Sequence, residues 1–233
     1  MDINMKAPRE IIKKMIIKEE KQKLLEISGL LHGHYCPGLA YGVLAAYEGM
    51  RRLEADTNTG MEEIMAVVEC NNCFVDGIQF VSGCTLGNNA LVYADAGKTA
   101  VTFYKRNEDY AVRLRVSDHR PPAKNDEGAA LFEKAVKRRE KLSDEERNRF
   151  GELWRKKSLE TVLAPAGEIL EINKVPVKNV KYAPIMDSLT CDECGEVFME
   201  SKAAEKEGKK VCLACSGNGL NAVTGEGIRK IEL

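Results

Sequence analysis

Near its carboxy end this 233-residue chain carries two CxxC pairs, CDEC (191–194) and CLAC (212–215), with 17 residues between them. Four thiolates at that spacing suit tetrahedral zinc, and the intervening residues close as a hairpin. Gly195 suits the tight turn after the first pair. The stretch is too short to build a hydrophobic core, so an ion would supply most of its folding free energy. The expectation is one structural zinc on Cys191, Cys194, Cys212 and Cys215; an exposed redox pair is the alternative.

A second constellation is HGHYCPG (32–38), holding two of the three histidines. If this stretch is extended, His32, His34 and Cys36 point to one face. Pro37 keeps Cys36 out of the helical region. Cys36 would then stand at a helix N-terminus, where the dipole favours a thiolate. ECNNCFVDGIQFVSGCTLGNN (69–89) adds Cys70, Cys73, Asp76 and Cys84. Buried free cysteine is the structural alternative, favoured for Cys70 at a strand end. Asp76 either caps a short helix or takes part in the site. Two other motifs are set aside. AGKT (96–99) has Val92 where a phosphate loop needs glycine, and GNG (217–219) lacks the third glycine of a dinucleotide fingerprint.

Apolar positions Ile12, Ile16, Leu24, Ile27 and Leu31 at helical spacing predict one long helix over 9–31, ending near Gly29–Gly33. A second helix runs from Pro37 to about Leu53. Its stripe of Gly38, Gly42, Ala45 and Gly49 admits another backbone at close range, against a cost of about 1 kcal/mol per helical glycine. IMAVVEC (64–70) reads as a buried strand and DGIQFVSG (76–83) as a short helix capped by Asp76. ALVYA, TAVTFYKR, YAVRLRVS and GEILEINKV (167–175) read as strands. Residues 125–160 read as two charged helices, the second opened by a Ser143/Glu146 capping box. NVKYAPIMDS reads as a linker.

Of the residues, 44% are hydrophobic and 30% charged, the formal net charge is -1, and acidic residues interleave with basic ones in the run 134–150. Nothing in that balance favours nucleic acid or an acidic membrane. From Asp187 to Cys215 seven acidic residues face four lysines, so protein contact suits the tail better than phosphate binding. No run approaches the roughly 18 apolar residues that cross a bilayer. The amino end reads as an amphipathic helix, and grouped cysteines without an export signal point to the reducing cytoplasm.

HGHYCPGLAYG, CFVDGIQFVSGCTLGNN and DAGKTAVTF, in that order, resemble the motifs of the FmdE family, named for an accessory component of formylmethanofuran dehydrogenase. The CDECGE…VCLAC tail resembles the zinc finger that some members carry. The resemblance implies an α+β core over residues 1–183, with helices on a mainly antiparallel or mixed sheet. It implies a treble-clef-type finger over 187–233 and an intertwined homodimer. Carried over by position, the motif matches His32, His34, Cys36, Cys73, Asp76 and Cys84, which would converge around zinc or another late first-row metal. Iron–sulfur chemistry suits adjacent histidines less well.

Three functions follow as expectations. The first is a metal-binding accessory or metal-handling component of a redox or one-carbon system. The second is a metal- or ligand-sensing regulator whose finger contacts a partner. The third is a metal-dependent hydrolase or lyase with Asp76 or His34 as base, which lacks a base independent of the ligands.

Overall fold

The computed structural model describes residues 7–54, 60–118 and 127–232. The chain divides into two compact units, one ending at Asn179 and one starting at Val180.

The amino-terminal unit opens with two helices, α1 (Glu10–Ile17) and α2 (Lys21–His32), where one was expected. Glu19 adopts φ 58, and the amides of Glu19 and Glu20 return to the carbonyls of Ile16 and Met15. That pair of bonds is a Schellman turn, which usually takes glycine. Glutamate in the left-handed position hides the break from sequence, and the apolar spacing runs on through it. Ile12, Met15 and Ile16 of α1 and Leu24 and Leu25 of α2 are buried.

Helix α3 (Pro37–Arg52) begins with proline at its first position, where no amide is required, and is buried along most of its length. Helix α4 (Cys73–Ser82) packs on it. A Cβ on Gly77 would stand 2.5 Å from the Val43 nitrogen and 2.7 Å from the Leu39 carbonyl oxygen. The glycine stripe is thus where two helix backbones meet. At the other end of α3, Gly49 lies against the Phe103 ring and seats the helix on the sheet.

Five strands form that sheet: β1 (Ile64–Val68), β2 (Leu91–Tyr93), β3 (Ala100–Lys105), β4 (Tyr110–Val116) and β5 (Leu170–Pro176). Their order is β2-β1-β3-β4-β5, parallel between β1 and β2 and antiparallel elsewhere, so the fold is α+β on a mixed sheet. In β4, Val112, Leu114 and Val116 are buried while Arg113 and Arg115 alternate to the other face. There Arg113 holds Glu69 through two bonds of 2.7 and 2.8 Å, and Arg115 reaches Glu171 at 2.7 Å. The Arg113 guanidinium holds the Glu69 carboxyl below its ordinary range.

Between β4 and β5 run α5 (Glu127–Phe132), a π turn (Glu133–Lys137), α6 (Asp144–Leu163) and the short α7 (Ala166–Ile169). The expected helix start at 125 lies outside the described residues. The capping box is formed: the Glu146 amide donates to Ser143 Oγ at 3.1 Å, and the Ser143 amide to Glu146 Oε2 at 2.8 Å.

The carboxy-terminal unit is built of hairpins, β6 (Ser188–Thr190) with β7 (Val197–Met199), β8 (Ala203–Lys206) with β9 (Lys209–Cys212), and β10 (Leu220–Thr224) with β11 (Gly227–Ile231). Its described residues contain a 3₁₀ turn, Glu200–Lys202, and no α-helix. Among the described residues of the chain, no helix is long and apolar enough to cross a membrane.

Candidate metal centres

In the tail, the turn of the first hairpin carries Cys191 and Cys194, while Cys212 ends β9 and Cys215 lies in the turn that follows it. All four sulfurs lie within 4.8 Å of one another. Zinc–thiolate bonds of about 2.3 Å place tetrahedral sulfurs roughly 3.8 Å apart, so the cluster fits such an ion. Gly195 takes φ 75 and its amide returns to the Cys191 carbonyl at 3.0 Å, which forms the knuckle. The Cys212 amide donates to the Cys191 sulfur at 3.3 Å. The two knuckles are laced further by Asp192, whose carboxylate accepts from the Lys210 amide at 2.7 Å. Amides of Cys194 and Cys212 pull the Cys191 thiol down to about 6, whereas hydrogen bonds with Cys194 and Cys212 push Cys215 up to about 12. Four sulfurs competing for protons in one small space is the electrostatic strain that a divalent cation relieves.

The core cluster is assembled by helix ends. His32 is the last residue of α2, and Gly33 follows at φ 84 as its left-handed cap. Cys36 is the N-cap of α3, extended at φ -150 and ψ 158, with its sulfur accepting the Leu39 amide at 3.4 Å. Between them Tyr35 anchors the loop. Its ring lies on Gly29, where a Cβ would come within 2.7 Å, and its hydroxyl donates to the Glu26 carbonyl at 3.1 Å. The donor atoms of His32, His34 and Cys36 lie within 4.8 Å of one another. The expected one-face arrangement is therefore reached through a helix end and a left-handed turn, not through extended chain.

Cys73, the first residue of α4, joins them. Its sulfur and that of Cys36 stand 3.8 and 3.7 Å from the point that a Cβ on Gly38 would take, so both thiols face one spot between α3 and α4. The Cys36 thiol beside it holds Cys73 down at about 5, and the same pairing pushes Cys36 upward. Asn72, not Asp76, caps this helix, accepting the Phe74 amide at 3.0 Å. Asn72 is a favoured cap residue, so this signal was present in the sequence.

Asp76 does something else. Its carboxylate accepts from His32 Nδ1 at 2.7 Å, and the opposite ring nitrogen, Nε2, faces the Cys36 sulfur at 3.6 Å. An ionised carboxylate only accepts, so Nδ1 carries a proton and Nε2 is the ring nitrogen left facing the cluster. This is the carboxylate–histidine arrangement that orients metal ligands. Asp76 thus positions His32 and does not itself join the donor set.

Cys84 is placed elsewhere. It lies two residues beyond α4, about 15 Å along the helix from Cys73 at 1.5 Å per residue. It is fully buried, and its thiol donates to the Ile64 carbonyl at 3.4 Å. Arg9 shares that pocket and donates to the Val81 carbonyl at 2.7 Å. Within this chain Cys84 is a core residue, separated from the cluster by the length of α4. Cys70 is buried and donates to Asn72 Oδ1 at 3.6 Å.

Residues 31–171 match the family model described as FmdE, molybdenum formylmethanofuran dehydrogenase operon. The chain belongs to the FmdE family. The match takes in the core cluster and the whole sheet up to the start of β5, and leaves the tail outside. The FmdE-family core shares its fold with an FmdE-like protein of tungsten formylmethanofuran dehydrogenase type from Syntrophus aciditrophicus. That likeness has a TM-score of 0.56 and 22% identity, over 84% of this chain and 92% of that one. The chain is also 38% identical over 205 residues to a probable S-adenosyl-L-methionine-binding protein of Archaeoglobus fulgidus. The alignment covers 86% of this chain and 54% of that protein, so the chain spans about half of its relative's length.

Because Asp76 acts through His32, Asp76→Asn is expected to weaken core metal binding about 10- to 100-fold. Competition with a chromogenic chelator reads this directly. The tail site, measured in the same titration, should be unchanged.

Proposed function

We propose that this FmdE-family protein is a metal-binding accessory or metal-handling component of a redox or one-carbon system. In this reading zinc staples the tail and a second transition ion, zinc first among them, occupies the core. The observation that carries it is the cluster of His32, His34 and Cys36, with Cys73 beside Cys36 across the α3–α4 junction and Asp76 behind His32. Two imidazoles and two sulfurs suit a borderline-soft divalent ion. An ion held there would supply Lewis acidity to a ligand at its open side. The chain's own part is to set the donors. Buried Cys36 closes one side of the cluster, and exposed His34 leaves the other open to solvent. Asp76 is engaged with His32, which argues against its use as a free general base and keeps the hydrolase reading behind the accessory one. We further propose a cytoplasmic homodimer, in keeping with reduced cysteines and the family resemblance.

Metal analysis of the full chain tests this. Two ions per chain are expected in wild type and one in a Cys36→Ser, Cys73→Ser variant, the remaining ion belonging to the tail. Equal stoichiometry in both would sink the core site.

A second reading is a regulator or adaptor whose core takes a small ligand and whose tail meets a protein partner. It is favoured by Val197, Met199, Val223 and Ile228, which the tail leaves 42–71% exposed. The archaeal relative's name makes S-adenosyl-L-methionine the first ligand to try. Equilibrium dialysis with this chain alone separates binding here from binding in the half of that relative outside the match.

A further inference from the structure

The core cluster brings together two cysteines that sequence places far apart. Cys36 ends the loop into α3, and Cys73 starts α4. The close approach of those two helices makes their thiols neighbours. Gly38 allows it, since a Cβ there would stand 3.0 Å from the Cys73 Cβ and 3.7 and 3.8 Å from the two sulfurs. The sequence alone would pair Cys73 with Cys70, as CxxC. In the fold the Cys70 thiol is turned to Asn72 instead. Cys84 is bonded to Ile64 at the far end of α4. Cys73 is half-buried and its neighbour His34 is exposed, so small oxidants reach the pair.

We propose that Cys36 and Cys73 are a redox-active dithiol whose sulfurs join across the α3–α4 junction. With a peroxide as oxidant, one thiol sulfur attacks a peroxide oxygen, the O–O bond breaks, and one water leaves behind a sulfenic acid. The second thiol sulfur attacks the sulfenic sulfur, the S–O bond breaks, and a second water leaves. Two thiols give up two electrons and two protons, and the peroxide ends as two waters. Two sulfurs that both lie within 3.8 Å of one point need only a local adjustment to reach the roughly 2.05 Å of a disulfide. The bond removes two of the four core donors, so the core releases its ion when oxidised and regains it when reduced. The release step rests on the metal reading above; the bond does not.

The test is peptide mapping, without reductant, of chelator-stripped full-length protein treated with hydrogen peroxide. A Cys36–Cys73 link is expected, retained in Cys70→Ser and in Cys84→Ser and lost in Cys73→Ser. The tail cysteines fall in other tryptic peptides and do not obscure it. Absence of the link, or a link from Cys73 to Cys70, overturns the proposal. Release is followed in a Cys212→Ser chain, whose one expected ion is the core's: it should appear in solution as the link forms and return with dithiothreitol. A reduced chain that binds no core ion overturns the release step and the metal reading, while a mapped link still establishes the dithiol.

Discussion

Gly42→Ala is expected to destabilise the amino-terminal unit by about 3 kcal/mol, the upper end of ordinary overpacking. The added methyl would sit on the Phe74 carbonyl oxygen, 2.9 Å from its carbon and 3.1 Å from the Gly77 Cα. All three are backbone of α4, which cannot swing away as a side chain can. The gain in helix propensity, about 1 kcal/mol, does not offset this. Gly151→Ala is the matched control. Gly151 lies in α6 with nothing within 4 Å of its added Cβ, so there the propensity gain should appear undiminished. The chain's single tryptophan, Trp154, lies in this unit. Urea unfolding followed by its fluorescence therefore reports the core without the tail. Gly42→Ala should also weaken the core metal site, because the helices it forces apart carry Cys36 and Cys73. A midpoint unchanged from wild type would show that α3 and α4 do not meet backbone to backbone.

Cys212→Ser is expected to unfold the tail and leave the core standing. Only Cys191, Val211 and Gly227 are buried among the described residues of that unit, too little to hold three hairpins. Structural zinc contributes about 10–16 kcal/mol of apparent binding free energy in peptides of this kind, far more than such a core. The variant should lose one ion per chain, and its tail amides should exchange rapidly with solvent. Trp154 fluorescence should unfold at the wild-type midpoint. Retained protection of the β8–β9 hairpin with the ion gone would show that the tail folds by other means.

Much of this fold is written in local pattern. The alternation of YAVRLRV gives β4 and its two faces, and Ser143 with Glu146 gives the start of α6. Pro37 gives the start of α3. The failures are equally local. The α1–α2 break rests on Glu19 in a conformation that glycine normally announces. Asp76 and Asn72 are both good cap residues four apart, and sequence alone does not say which caps and which faces a histidine. The site divides in the same way. His32, His34 and Cys36 are read from spacing, since a few residues of chain hold them together whatever the backbone does. Cys73 and Cys84 depend on the orientation of α4 against α3. That packing brings one to the cluster and carries the other about 15 Å off. Tyr35, which pins the loop to α2 through Gly29, carries no sequence signal of its role. The tail's knuckles follow from CxxC spacing, but the resemblance to a treble clef did not foretell that the residues after Cys215 form a hairpin.

The two clusters differ in how many sulfurs they hold, and that difference sets their charge. A divalent cation with two thiolates and two neutral imidazoles is electrically balanced within its donor set, and the Asp76 carboxylate behind His32 adds one negative charge. The same cation among four thiolates leaves an excess of two negative charges. In the tail that excess would fall on amides of the knuckles and on the Lys206 ammonium, which sits 2.9 Å from the Cys215 carbonyl. The tail centre would therefore be the more electron-rich of the two, and its sulfurs the first to meet an alkylating electrophile.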